Sequence, residues 1–307
     1  MSLASKKPTL AFLGPRGTYS HQAAFDCFGG SVFYEEKQTI AEVFYSVTPE
    51  IPLGLVPHEN SIYGAVVETC NLLRSSLAGR DIVIRGDVTL KVNHCLVVRS
   101  GVKLENIEHV LSHEQALGQC KAFIAKYLPH ATLVPTDSTA SAAQILVSPK
   151  HDGLDPLKCG AICSQVVTTI MDGLEVLSEG IQDEDTNFTR FYVLSWGKST
   201  TIPPPVPDLS QPRALVRLSY PPEKHFKFAP KSQDLTPLLV ALGLCITRID
   251  RRPSTYSIPF HDVFFVEATG DELAEDAEED ISWTEKVRQG VERVKQAGGE
   301  VCVIGTW

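Results

Sequence analysis

No two of the eight cysteines stand in a CxxC spacing, and the chain has no long hydrophobic run and no basic stripe interleaved with aromatics. Each absence excludes something. The cysteines lie scattered through 307 residues, several inside apolar segments such as "NHCLVV" and "EVCVIG", where a thiol packs as a small hydrophobe. No disulfides are expected. The longest apolar run, "LLVALGLCI", falls well short of the roughly 20 residues that cross a bilayer, so no membrane partner is expected. The stretch "MSLASKKPTLAFLG" has two lysines but only a short apolar run before Gly14-Pro15, without the longer run and small-residue cleavage site of a signal peptide. The protein is therefore expected in the cytoplasm, and Asn187-Phe188-Thr189 is not read as a glycosylation acceptor. A general nucleic-acid partner is excluded by the charge pattern.

The charge itself is local. Twenty-eight Lys and Arg against 37 Asp and Glu give −9, but seven of the acids sit in "DELAEDAEED", Asp271 to Asp280, so the other 297 residues carry −2. That run reads as a solvated loop or the start of a helix. "KSTTIPPPVPDLSQP" holds five prolines and almost no large apolar residues, so residues 197–212 are expected to form a linker. Beyond it, "RALVRLSYP" alternates like a strand, "QDLTPLLVALG" reads as a short helix, "LCITRIDRR" and "IPFHDVFFVEAT" as strands, "SWTEKVRQGVERVKQAGG" as an amphipathic helix ending in glycine, and "EVCVIGT" as a strand. That order, βαββαβ over 213–307, is a split ferredoxin-like unit. Upstream, residues 8–196 alternate strand and helix signals, which predicts an α/β fold.

Four strand-to-helix junctions are unusually polar. "GPRGTYSHQA" puts Gly14, Gly17, Thr18 and Ser20 at a turn with free helix amides behind it, a natural anion site, although a helix cap explains the hydroxyls equally well and the Gly-Lys-Ser/Thr ending of a phosphate loop is missing. In "VPHENSIYG", Glu59, Asn60 and Ser61 follow an apolar strand. "LSHEQALGQC" starts a helix at Ser112 and sets Gln115 and Gln119 on one face. His109 and His113 are also four apart, but they straddle the change from strand to helix and lack a third ligand, so no metal is expected. "TNFTRFYVL" changes abruptly from polar to apolar. In open α/β sheets ligands bind at the carboxyl ends of strands, and several such junctions point to one shared cleft. No Ser-His-Asp arrangement or cofactor loop can be assigned among them.

The blocks "GPRGTYSHQAA", "LVPHENSIYGAVVET", "SHEQALGQC", "STASAA", "GAICS" and "TNFTRF", in this order and spacing across residues 10–194, resemble the prephenate dehydratase family. The resemblance implies two α/β lobes closing like a type II periplasmic binding protein, lobe 1 at about 8–92 and 181–196 and lobe 2 at about 93–180, followed by an ACT regulatory domain at 213–307. It implies decarboxylating dehydration of prephenate to phenylpyruvate with no cofactor. Thr189, Asn60 and Gln119 match catalytic positions; Thr18, Ser61, Ser112, Ser164 and Arg190 are assigned to substrate binding, with a brace for the lobe as the alternative role of Arg190. L-phenylalanine is implied as effector near Leu235 and Arg252, at a homodimer or homotetramer interface. Departures from the pattern are Glu114 for a proline, His58 for an aliphatic residue, Gln144 for a glutamate, "SQDL" (Ser232 to Leu235) for the Gly-Ala-Leu segment, and Asp250-Arg251 for Glu-Ser. Arogenate as substrate, and a sensor without catalysis, are the alternatives; the intact Asn60, Gln119 and Thr189 set speaks against the sensor.

Overall fold

A computed structural model describes residues 7–148, 153–204, 211–222, 234–256, 258–270 and 281–307. The acidic run, residues 205–210 of the proline-rich stretch, and Ser232 and Gln233 of the altered segment lie outside the described residues.

The chain begins as an alternation of strand and helix: β1 (Thr9–Leu13), α1 (Tyr19–Phe28), β2 (Phe33–Lys37), α2 (Ile40–Ser46), β3 (Leu53–Asn60), the two-residue β4 (Gly64–Ala65), α3 (Val67–Leu72) and β5 (Ile82–Lys91). It then crosses to a second sheet, built from β6 (Cys95–Arg99), β7 (His109–Ser112), α4 (Glu114–Gln119), α5 (Lys121–Tyr127), β8 (Thr132–Pro135), α6 (Thr139–Val147), β9 (Cys159–Cys163), α7 (Val167–Ile170) and β10 (Leu174–Ser178). The second sheet runs β10-β6-β9-β7-β8. The chain returns through β11 (Phe188–Trp196), which inserts antiparallel between β3 and β5 of the first sheet.

Strand periodicity explains the layers. Along β11, Phe191 and Val193 pack with Leu10, Phe12, Phe28 and Leu55 under α1, while Tyr192 and Leu194 join Val43, Phe44 and Ile84 on the opposite face. Successive side chains of a strand point to opposite faces, and both faces here are covered by apolar groups. The polar residues at the start of β11 obey the same alternation, so Thr189 and Arg190 leave the strand on opposite sides.

The C-terminal part comprises β12 (Arg213–Ser219), α8 (Thr236–Leu242), β13 (Cys245–Pro253), β14 (Asp262–Thr269), α9 (Trp283–Gln296) and β15 (Glu300–Thr306). Its strands run β13-β14-β12-β15. Both helices cover one face through Leu238, Leu242, Val287 and Val294. Ser282 caps α9 and Gly243, left-handed at φ 61°, ends α8, as the terminal residues of these segments dictate. The other face packs Leu215, Val263, Phe265, Ile304 and Trp307 onto Ile40, Phe44 and Tyr192. β15 pairs in parallel with β5 at Gly305 and Ile84 and joins the C-terminal strands to the first sheet. Only glycine fits there, because a Cβ on residue 305 would stand 2.2 Å from the Ile84 carbonyl oxygen. The proline-rich stretch therefore connects two parts of one continuous sheet.

Candidate functional site

The two crossings between the sheets run side by side. Val92 N–H donates to the Asn187 carbonyl at 2.8 Å, Ile181 N–H donates to the His94 carbonyl at 3.1 Å, and His94 N–H donates to Gln182 Oε1 at 2.9 Å. Beside these crossings lies a cavity of about 370 Å³ whose wall includes Thr18, Tyr19, Asn60, Tyr63, His94, Gln115, Gln119, Ser138 and Asn187. The polar half of "TNFTRFYVL" thus lies where the chain re-enters the first sheet, and its apolar half is core.

Asn60 ends β3, and its amide has a fixed orientation. Oδ1 accepts the Ile62 and Tyr63 N–H groups at 2.9 and 3.0 Å, which leaves Nδ2 to donate toward Asn187 Oδ1 at 2.8 Å, the Phe188 carbonyl at 3.1 Å and Thr189 Oγ1 at 3.0 Å. An amide nitrogen has two hydrogens, so three acceptors share them. Because Thr189 Oγ1 accepts from Asn60, its own hydrogen remains for another acceptor. Thr189 stands opposite Asn60 in the register of β3 and β11. It is half-buried and outside the cavity wall, one hydrogen bond away from a residue that is in it.

Gln119, at the end of α4, accepts at Oε1 from the His94 ring at 2.7 Å, and its Nε2 lies 3.4 Å from the Tyr63 hydroxyl. His94 Nδ1 lies 2.6 Å from the hydroxyl of Tyr19. Burial pushes the imidazole below its ordinary pKa, more than its bond to Gln119 raises it, so the ring is neutral near pH 7. The charge in the wall is sparse: Asp137 is its carboxylate, and no Lys or Arg lines it among the described residues. Three helices instead begin at it, α4 among them with His113 as its cap. Thr18 caps α1 and Ser138 caps α6, accepting from His21 N at 3.4 Å and Ser141 N at 3.0 Å respectively. The first amides of a helix have no intrahelical partner and favour an anion. Such a wall can hold and polarise an anion with neutral donors. Among the described residues no cluster of three metal-ligating side chains occurs.

The family model for prephenate dehydratase matches residues 10–199. The chain belongs to the prephenate dehydratase family. The bifunctional chorismate mutase/prephenate dehydratase of Aquifex aeolicus is 37% identical over 191 residues, covering 62% of this chain and 49% of that protein. The one from Stutzerimonas stutzeri is 33% identical over 270 residues, covering 87% and 67%. The chain thus spans about half to two thirds of the length of these relatives. A solved prephenate dehydratase from Arthrobacter aurescens, in complex with L-Phe, matches with a TM-score of 0.71 at 25% identity over 97% of this chain and 89% of that one. The Staphylococcus aureus prephenate dehydratase matches at 0.69 and 21% identity over 97% and 99%, a likeness of fold.

Of the residues that the family resemblance singled out, the structure brings Asn60, Gln119 and Thr18 to the cavity wall, with Thr189 bonded to Asn60. Four others depart from the expected substrate contact. Ser112 Oγ is fully buried and donates to the Ile162 carbonyl at 2.6 Å. Ser164 Oγ, also buried, donates to the Gly17 carbonyl at 2.8 Å and ties the second sheet to the loop before α1. Gly17 has φ +96°, and a Cβ there would meet Val167 at 2.9 Å, so this close approach requires glycine. Ser61 Oγ donates to the Thr186 carbonyl and accepts from Phe188 N, closing the turn against the start of β11. All three hydroxyls are thus engaged by main chain in this conformation.

Arg190 lies outside the cavity wall. Its guanidinium points away from the cavity to Glu267 of β14 at 2.8 Å, Glu59 at 3.2 Å and Asp87 at 3.5 Å. It braces the first sheet against the C-terminal strands, the alternative role open to it. Arg252 also departs from expectation: its Nε donates to Asn71 Oδ1 of α3 at 3.1 Å. Leu235, the residue directly before α8, packs partly buried against the C-terminal core. The sequence reading passed over His94, Tyr19 and Tyr63. His94 carried a signal, a titratable side chain directly before the apolar run "CLVV".

Proposed function

We propose that this protein catalyses the decarboxylating dehydration of prephenate to phenylpyruvate, in L-phenylalanine biosynthesis in the cytoplasm. Its two sheets of residues 8–196 act as lobes about the crossings at Val92–His94 and 181–187, in the manner of a type II periplasmic binding protein. The reading rests on one observation above all: the Thr189 hydroxyl accepts from Asn60 and so keeps a hydrogen to give, beside a cavity lined by neutral donors.

The chemistry asks for little more. The bond from the ring to its carboxylate breaks and carbon dioxide leaves; that electron pair enters the ring as the bond to the opposite hydroxyl breaks; the departing oxygen takes a proton and becomes water. Aromaticity supplies the driving force, so the protein need only orient a dianion and stabilise charge developing on the leaving oxygen. An alkyl hydroxyl is too weak an acid to release a free proton near neutral pH, and Thr189 acts by a directed hydrogen bond. Since Thr189 stands one hydrogen bond outside the wall, closure of the cleft on substrate must bring the ring to it. Asn60 serves as a positioning residue, while Gln119 and the helix starts behind Thr18 and Ser138 hold the anionic groups.

Residues 213–307 are read as an ACT domain that senses L-phenylalanine, with the chain assembling as a homodimer or homotetramer. The βαββαβ order and the L-Phe complex of the Arthrobacter relative support this. A titration in which L-phenylalanine neither binds nor changes the rate would remove the effector.

The function is tested by incubating the protein with prephenate or, in parallel, arogenate and following the aromatic product. Thr189→Ala is expected to fold normally and to lose on the order of 10²-fold in kcat/KM, the scale for removal of one preorganised donor. Near-normal turnover by that variant would sink the assignment of Thr189, and absence of product from either substrate would leave the sensor reading.

A further inference from the structure

His94 joins the two sides of the cleft through its ring. It lies at the first crossing, 2% exposed, with Tyr19 of α1 at Nδ1 and Gln119 of α4 at Nε2. Two hydrogen-bonding patterns can run along a Tyr-His-Gln chain. In one, Nε2 carries the proton and donates to the Gln119 carbonyl, so the Gln119 NH2 points to Tyr63 and the cavity. In the other, Nδ1 carries the proton and donates to Tyr19, and the amide is reversed with its oxygen toward the cavity. The identity of amide atoms follows from such a network.

Tyr19 distinguishes the two, because its hydroxyl has one hydrogen. The reversed pattern requires that hydrogen to turn to the Asn93 carbonyl at 3.2 Å, beyond the roughly 2.5–3.0 Å of O–H···O bonds. In the first pattern it meets Nδ1 at 2.6 Å. Charge argues the same way. A wall that already contains Asp137 and must hold an anion is improved by an NH2 and weakened by another oxygen. The neutral ring has one acceptor and one donor, which this pattern uses on Tyr19 and Gln119 respectively.

We propose that His94, fixed as its Nε2–H tautomer by Tyr19, is a positioning residue that turns the Gln119 amide so that its NH2 faces the anionic oxygens of the substrate. This rests on the function given above and adds which end of Gln119 acts and what sets it. The same NH2 reaches the Tyr63 hydroxyl on the turn after β3 at 3.4 Å, so the amide also spans the gap between the two sheets.

The tautomer is read from long-range 1H–15N spectra of the full chain labelled with 15N-histidine, near neutral pH, with the His94 ring identified by its loss in His94→Gln. The Nε2–H pattern is expected; an Nδ1–H or doubly protonated ring overturns the proposal whatever the enzyme turns over. Kinetics supply the second readout. His94→Leu is expected to raise KM on the order of 10²-fold with kcat changed less than about threefold. His94→Gln, whose terminal NH2 extends toward the place of Nε2–H, regains about tenfold on the same scale. Adding His94→Leu to Gln119→Ala should cost nothing further, since a positioning residue has nothing left to position. Losses that multiply, or equal losses in the Leu and Gln variants, overturn the proposal. His94→Asn, which keeps the reach to Tyr19 but not to Gln119, replaces the Leu variant should that one fail to fold. Absence of prephenate turnover by the unsubstituted protein would count against the function, and the spectrum would still decide the tautomer.

Discussion

Glu267 offers a measure of how firmly the C-terminal strands are fixed to the first sheet. Its side chain, 3% exposed, receives Arg190 Nη2 at 2.8 Å and Arg213 Nη1 at 3.2 Å. Burial pushes the carboxyl up, but His58 and the Arg190 guanidinium outweigh burial and hold it at about 2. The geometry gives the guanidinium groups the larger share: His58 Nε2 lies 3.8 Å from Glu267 and already accepts from Arg248 at 3.1 Å. Against the ordinary glutamate value of 4.5, a folded value of about 2 corresponds to about 3 kcal/mol of stability. Because the folded pKa is depressed, this contribution is complete above pH 4.5 and disappears as pH falls toward 2. Glu267→Gln keeps the volume and removes the charge. Asp87 and Glu59 still pair with Arg190, so the cost belongs at the low end of the roughly 3–5 kcal/mol for breaking a buried pair.

The expected result is thus a loss of about 3 kcal/mol at pH 7 that shrinks to about 1 kcal/mol at pH 3. Urea unfolding followed by tryptophan fluorescence measures it, in a version retaining only Trp307, whose indole donates to Asp87 at 2.6 Å within the same cluster. A loss below about 0.5 kcal/mol at pH 7, the range of an ordinary surface substitution, would refute the reasoning. So would a loss independent of pH.

Two further outcomes follow from packing and thiol chemistry. Gly305→Ala forces a Cβ to 2.2 Å from the Ile84 carbonyl oxygen; the parallel pairing of β5 and β15 should break and the thermal midpoint fall by at least about 5 °C, and an unchanged midpoint would contradict the continuous sheet. Cys245 is exposed and Cys302 half-buried, whereas burial pushes the thiols of Cys70, Cys95 and Cys159 up to about 11 and that of Cys120 to about 12. A native titration with a thiol reagent should show Cys245 reacting first, Cys302 more slowly, and these four only on unfolding, with prompt reaction of Cys120 as the contrary result.

What the sequence made legible is what local pattern controls. The C-terminal helices and strands lie where period, Ser282 and Gly243 placed them, because caps and alternation act over a few residues. The seam between β5 and β15 was invisible for the opposite reason. It rests on one glycine meeting one carbonyl across more than 200 residues of chain, and a proline-rich stretch indicates where regular structure stops without indicating what its two sides do next. His58 is similar: its imidazole, at a position where an aliphatic side chain is usual, has its partner in Arg248 on β13, stacks on Tyr192 at 3.9 Å, and gains meaning only once those strands are in place.

The site divides along the same line. Asn60 and Thr189 could be paired from motif order, and the structure adds that one bonds the other. Between the two roles open to Arg190, the sequence already contains a constraint that favours the brace. Residues 189 and 190 are neighbours on a strand, so if one side chain serves the cleft the next must leave by the opposite face. The opposite face is where Tyr192 and Leu194 meet the C-terminal core, and a guanidinium sent there needs carboxylates, which Glu59, Asp87 and Glu267 provide. The buried hydroxyls of Ser112 and Ser164 could not have been sorted this way, since a serine at a strand end satisfies a carbonyl or faces a ligand with the same local pattern. Three-dimensional neighbours decide between those two uses, and for both serines the neighbour is a main-chain carbonyl.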